Sequence, residues 1–263
     1  SNAVANEISY AAGLSLLNIN NLTLLSNSFT YQNALPSEQF FIEGSALELY
    51  NVYASQIDQN LFSNNHGYST IQSFNTTGDF TKNRICNNFV WYDFEIYSEA
   101  DIVNMNIKNN FFCNHNGFSF IFIDSIHPAT VPNVAISHNT FSLGNTAIKG
   151  LKCNLRVNRN IFTDFCSTAI DLDPTSTIYS IKENLFWSNT SIGETGVMFW
   201  EVDPLLVDQS ICDLHLQPSS PAIDRVYGGS IITDIDGDKR PIGLVDLGAD
   251  EFGTKIYLPL ISQ

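Results

Sequence analysis

At 263 residues and 44% hydrophobic content, the chain is long enough to bury a large core. Its formal net charge of −15, from 27 acidic against 12 basic residues, repels phosphate backbones and anionic lipid surfaces and so excludes nucleic acid as an electrostatically steered partner. No apolar run reaches the roughly 18 residues that a membrane-spanning helix needs, which excludes membrane insertion by that route.

In chain order, Ser1-Asn2-Ala3 reads as the remnant of a cleaved expression tag, with a native chain expected to begin further upstream. Residues 4–35 hold a first coil, in which Leu14, Leu16, Leu17 and Ile19 lead to Leu24-Leu-Ser-Asn-Ser-Phe29. The skeleton of that stretch, apolar-x-x-Asn-x-apolar, occurs seven times, at Leu24/Asn27/Phe29, Ile57/Asn60/Phe62, Phe80/Asn83/Ile85, Ile107/Asn110/Phe112, Ile136/Asn139/Phe141, Val157/Asn160/Phe162 and Ile181/Asn184/Phe186. The asparagines are separated by 33, 23, 27, 29, 21 and 24 residues, a wandering period that stacked coils with variable loops produce. Short runs of Ile, Val, Phe and Tyr lie between polar breaks, and helical periodicity is nowhere sustained. The prediction is an all-β solenoid over residues 4–200 with about seven or more coils. The residues flanking each asparagine point inward, the second forming a column from Phe29 to Phe186. The asparagine takes the bend, where it tolerates positive φ and bonds to its counterpart in the next coil. A leucine-rich repeat is excluded, because neither its leucine framework nor a helix-length segment is present.

A second strand is expected about ten residues after each asparagine: Thr70 to Phe74, Glu95 to Tyr97, Phe120 to Asp124, Ala147 to Lys149, Ala169 to Asp173 and Val197 to Trp200. With isoleucines inward, Gln72, Tyr97, Phe122, Lys149 and Asp171 align on one outer face, flanked by Asp124, Asp173 and Trp200. A one-residue slip would invert every assignment.

Cys86 and Cys113 both lie three residues after a repeat asparagine, where other copies carry Thr30, Ser63, Ser142, Thr163 and Trp187. Adjacent coils would bring them within disulfide range, but a ladder of small side chains with two buried free thiols is the simpler expectation. The histidines, His66, His115, His127, His138 and His215, show no metal-ligand spacing, and a surface role is expected for His66 and His115. After Trp200 the repeat ends. Residues 201–263, rich in proline and glycine, are expected to form an irregular C-terminal cap packed on the solenoid. Within it, Asp234-Ile-Asp-Gly-Asp238 is expected to form a structural turn bonded to Arg240, since its glycine falls too early for an EF-hand.

The repeats resemble those of the right-handed parallel β-helix proteins of the pectin-lyase-like superfamily. The tail, through Leu216-Gln-Pro-Ser-Ser-Pro-Ala-Ile-Asp224, Asp236-Gly-Asp-Lys-Arg-Pro241 and Asp246-Leu-Gly-Ala-Asp-Glu251, is similar to the closing segment of bacterial choice-of-anchor Q proteins. The resemblance implies a right-handed helix of three sheets, export to the outside or surface of a bacterial cell, and contact with polysaccharide. The Asp-Asp, Gly-His-Gly and Arg-Ile-Lys signatures of polygalacturonase-like hydrolases do not occur.

Chemistry, if present, is expected on the second-strand row. Elimination across a uronic acid needs a cation on the substrate carboxylate and a base for the C5 proton. Asp171 and Asp173 would hold calcium, and together with Lys149 as base they form the candidate catalytic set. Tyr97, Phe122, Asp124 and Trp200 would bind substrate. Paired carboxylates hydrolysing a glycosidic bond and a plain solvated sheet face remain alternatives. The leading expectation is thus a monomeric, secreted or surface-attached domain that binds a polysaccharide, with cleavage by a lyase or hydrolase mechanism open. A non-catalytic structural or adhesive module of a larger surface protein is the alternative.

Overall fold

The computed structural model describes residues 13–32, 45–99, 103–126, 130–229 and 231–253. They form a parallel β-solenoid of about six turns with three sheets running its length. Sheet A has eight strands, from Leu14–Asn20 through Ser45–Tyr53, His66–Phe74, Phe89–Ser98, Ser119–Ser125, Thr146–Gly150 and Thr168–Leu172 to Ser191–Gly193. Sheet B has seven, from Thr23–Leu25 to Thr177–Lys182, and sheet C eight, from Ser28–Thr30 to Trp200–Glu201. No described helix is long and apolar enough to cross a membrane.

The repeat asparagine makes the tight corner between sheets B and C. Each one's Oδ1 accepts from both the backbone N–H and the Nδ2 of its predecessor: Asn110 receives Asn83 at 2.8 and 3.1 Å, and Asn139 receives Asn110 at 2.9 and 2.9 Å. The ladder is continuous from Asn27 to Asn184. The predicted strain falls one residue earlier than expected. Positive φ is adopted by Ser26, Gln59, Lys82, Asn109, His138, Arg159 and Glu183, each preceding the ladder asparagine. The asparagine thus serves as a hydrogen-bond bridge, and its buried amide has too many partners to occupy the exposed bend itself.

Phe29, Phe62, Ile85, Phe112, Phe141, Phe162 and Phe186 stack in register, with ring centroids 4.7 Å apart for Phe112 and Phe141 and 5.1 Å for Phe141 and Phe162. Leu47, Ile71, Phe94, Ile121, Ile148 and Ile170 supply a second inward column from sheet A. These columns exclude water along the axis, and stacked rings add to the area they bury.

The tail lies along the outer face of sheet C. Phe111, Cys113, Ile161 and Leu185 point out from that sheet into a second core with Leu206, Leu214, Leu216, Val226, Val245 and Leu247. Cys113 stacks on Cys86 as the spacing predicts, yet its disulfide runs to Cys212 of the tail, and Cys86 stays a free thiol. Both expected fates of that pair are therefore corrected, because the column faces outward onto the tail. Residues 234–238 do form a turn, in which Asp234 Oδ1 accepts from the backbone N–H groups of Asp236 and Asp238 at 3.0 and 2.8 Å. Arg240 is committed elsewhere: it is fully buried, pairs with Glu251 at 3.1 Å and donates to the carbonyls of Asp246 and Gly248.

Candidate functional site

The outer face of sheet A carries the side chains with the strongest functional signal. Strand register places Glu48, Gln72, Glu95, Phe122, Lys149 and Asp171 in one row and Tyr50, Phe74, Tyr97 and Asp124 in the next. Tyr97 therefore stands one row away from its expected place beside Gln72 and Phe122. The cause is Ile96, which fills the second inward position of its strand, while Phe94 fills the position matched to Ile71 and Ile121. A slip of two residues preserves the face, so Tyr97 still points outward.

Trp200 does not flank this row. It lies in sheet C, paired with Leu185, and its ring takes the Arg225 guanidinium at 5.4 Å. The strand that closes sheet A is Ser191–Gly193 rather than Val197 to Trp200. Lys149 and Asp171 are adjacent in register and form a direct, half-exposed ion pair. Asp173 is turned to its own loop, accepting from the Thr175 N–H at 2.8 Å and hydroxyl at 2.6 Å, and those bonds hold its carboxyl below the ordinary range. Asp124 accepts from the Ser125 N–H at 2.7 Å, and burial pushes its carboxyl up. Among the described residues, Asp171 and Asp173 gather no third ligand, whereas His215, Asp236 and Asp250 do approach one another. His215 there lies with its two ring nitrogens against Asp213 and Asp236, so its lone pairs are not open to an ion.

Beside the predicted row runs an aromatic strip. Tyr50, Phe74, Tyr97, Phe122, Tyr92, Tyr68, Trp91 and Phe118 connect ring to ring, with centroids between 4.5 Å for Tyr92 and Phe122 and 5.9 Å for Tyr97 and Phe122. Phe89 stacks on His66 at its margin. Trp91, Phe118 and Phe89 are 40%, 55% and 56% exposed, values that folding alone does not favour for rings on one sheet face. Phe122 is covered by its neighbours.

Beneath the tyrosines lies Glu95, fully buried. Its Oε2 accepts from the Ser69 hydroxyl at 2.8 Å and from Gln72 Nε2 at 2.9 Å, and Ser45 donates to Gln72 in turn. Burial raises the Glu95 carboxyl, against the hydrogen bonds of Gln72, Ser69, Tyr97 and Tyr68. Burial and the adjacent Glu95 raise the Tyr68 and Tyr97 phenols as well. The polar row fixes the ring platform by hydrogen bonds from below.

A second buried constellation lies at the corner leading into sheet A. Asn65 and Asn88 repeat the ladder geometry there, and the ladder ends on Asp93, which accepts from Asn88 at 2.9 Å and Thr70 at 2.8 Å. His115 lies 2.9 Å from Asp93 with both side chains fully buried, which corrects its expected surface role. His66 is exposed, and His127 lies outside the described residues. The sequence pattern assigns no site role to Trp91, Phe118, Tyr68, Glu95 or Asp93. The alternation His66-x-Tyr68 and Phe89-x-Trp91 carries a signal for Tyr68 and Trp91 alone.

No protein-family model matches the chain, and no curated protein matches it. The resemblance carried by the repeats and tail therefore stands at the level of the parallel β-solenoid.

Proposed function

We propose that this chain is a secreted β-solenoid that binds an extended polysaccharide on the outer face of sheet A. The observation that carries the reading is the ring-to-ring strip ending in exposed Trp91 and Phe118, with exposed Phe89 stacked on His66 at its margin. Pyranose rings have an apolar face, and aromatic side chains held rigidly at strand spacing match it at successive sugars. The neighbouring charges set the sugar class. Glu48, Glu99, Asp124 and Asp171 give the face that carries the strip an acidic character, and Lys149 is matched by Asp171. A polyuronate would meet repulsion there, so a neutral glycan fits better. Export is supported by the Cys113–Cys212 disulfide, a bond that persists in oxidising compartments.

Affinity electrophoresis through gels containing neutral β-glucans, xylan, pectate or alginate tests this. Retardation by a neutral polysaccharide is expected, abolished in Trp91→Ala/Phe118→Ala. Equal mobility in every gel, or retardation unaffected by that double substitution, would refute the proposal. The lyase variant is read in the same preparation by absorbance of unsaturated products with calcium present. Lys149→Ala would remove that activity, whereas a flat trace on every substrate leaves a binding module.

A further inference from the structure

The molecule's cations are unevenly placed. Of 12 lysines and arginines, Lys82, Lys108, Arg159 and Lys182 line one groove of about 530 Å³, between the outer face of sheet B and residues 231–233 of the tail. Strand register explains the arrangement. Thr81, Lys108, Ser137, Asn158 and Lys182 are stacked partners on consecutive strands, so Lys108 and Lys182 stand about 14 Å apart at the strand spacing, with Ser137 and Asn158 between them. The next residue of each coil, in left-handed conformation, forms the adjoining row, and there His138 lies between Asn109 and Arg159.

These groups differ in how far they are already committed. Lys82 pairs with Asp58 at 3.2 Å and Lys108 with Asp79 at 3.1 Å. Arg159 is fully engaged, bonded to Glu183 at 2.7 Å and to the carbonyls of Tyr227 and Gly228, so it acts as a wall that anchors the tail. Lys182 has no ion pair among the described residues. His138 is 4% exposed, yet neither of its ring nitrogens has a hydrogen-bond partner among the described residues. Burial, together with Arg240 and Arg159, keeps its ring neutral, so it offers one N–H donor and one acceptor. A buried polar ring left unpaired is unfavourable, and with both nitrogens closed to solvent the ring responds to charge in the groove through the local field.

We propose that this groove binds the oxyanion group of a small polyhydroxylated ligand, a uronate or sugar sulfate. Lys182 attracts the charge at one end and Lys108, shared with Asp79, bounds the other, while Ser137 and Asn158 of the outward row meet the ligand's oxygens and hydroxyls and the His138 ring lies closed beneath them. The volume suits one or two sugar rings and falls within the usual span of small-molecule sites. Four cations against three neighbouring carboxylates make it a local exception in a chain of net charge −15. The site is on a different sheet from the aromatic strip and stands independently of it.

The test is a titration with glucuronate, inorganic sulfate and glucose at matched ionic strength, read by the ring ¹⁵N resonances of His138. Saturable shifts with glucuronate and sulfate but not glucose are expected, and Lys182→Met should weaken both by roughly tenfold or more. Near-UV circular dichroism verifies that the variant keeps its fold. Saturation by glucuronate alone supports the proposal and narrows it to sugar acids. Absence of saturable shifts with either anion, or shifts unchanged in Lys182→Met, would overturn it. Neither outcome bears on Trp91, so failure here and failure of polysaccharide binding are distinguishable.

Discussion

Replacing Asn110 by alanine tests the ladder at its centre. Asn110 Oδ1 accepts the Asn83 N–H at 2.8 Å, and its Nδ2 donates to the carbonyls of Phe80 and Lys108 and to Asn139 Oδ1, at 3.0, 3.0 and 2.9 Å. In Asn110→Ala the Asn83 backbone N–H loses its acceptor at a fully buried position, about 1–3 kcal/mol, and the amide's own lost bonds add about 1 kcal/mol each, partly relieved by retained neighbours. A loss of about 4 kcal/mol follows, equivalent to about 10 °C in Tm for a chain of this size. Asn27 provides the internal control. It sits at the exposed end of the ladder, its backbone N–H keeps Asn60 Oδ1 as acceptor at 2.8 Å, and Asn27→Ala should cost about 1 kcal/mol. Urea unfolding followed by far-UV circular dichroism gives both values. Equal losses, within 1 kcal/mol of each other, would show that the ladder is a passive consequence of stacking and that the argument is wrong.

Arg240→Met should destabilise the tail by about 3–5 kcal/mol, because it leaves the Glu251 carboxylate buried without its cation; limited proteolysis between the solenoid and tail would read this directly. Cys113→Ser/Cys212→Ser opens a link across 99 residues and should lower stability by about 2–4 kcal/mol, with the tail rather than the solenoid becoming protease-sensitive. His215 is held up to about 9, first by Asp236 and then by Asp213, against a burial effect in the opposite sense. Its protonated form is therefore favoured in the folded state: the stabilisation is complete below about pH 6.5 and is lost as pH rises through about 9. Thermal unfolding at pH 6 and pH 9.5 should differ more for the native chain than for His215→Gln, and identical pH dependence in the two would refute the assignment.

The scaffold was legible because seven asparagines report one local geometry, each within a few residues of the apolar positions it organises. Its finer features depended on distant chain. The positive φ moved to the residue before each asparagine because the amide itself is needed inside, and Tyr97 moved one row because its strand has two inward positions and only one isoleucine. Cys113 found Cys212 through the docking of a tail whose approach no repeat encodes. At the candidate site, the alignment of Lys149 with Asp171 follows from register, as predicted, whereas Trp200 joins sheet C instead of the sheet its spacing predicts. Trp91 and Phe118 are not legible in the sequence because aromatic residues serve the core and the surface of this chain alike, and only exposure separates the two uses.

The most direct measurement is a fluorescence titration of Trp187→Phe/Trp200→Phe, which leaves Trp91 as the chain's sole tryptophan. Soluble oligosaccharides of whichever neutral polysaccharide retards the protein should shift and saturate the Trp91 emission, with affinity rising as the oligosaccharide lengthens to span the strip. Retardation by the polymer with no change in Trp91 emission would place binding elsewhere and contradict the account.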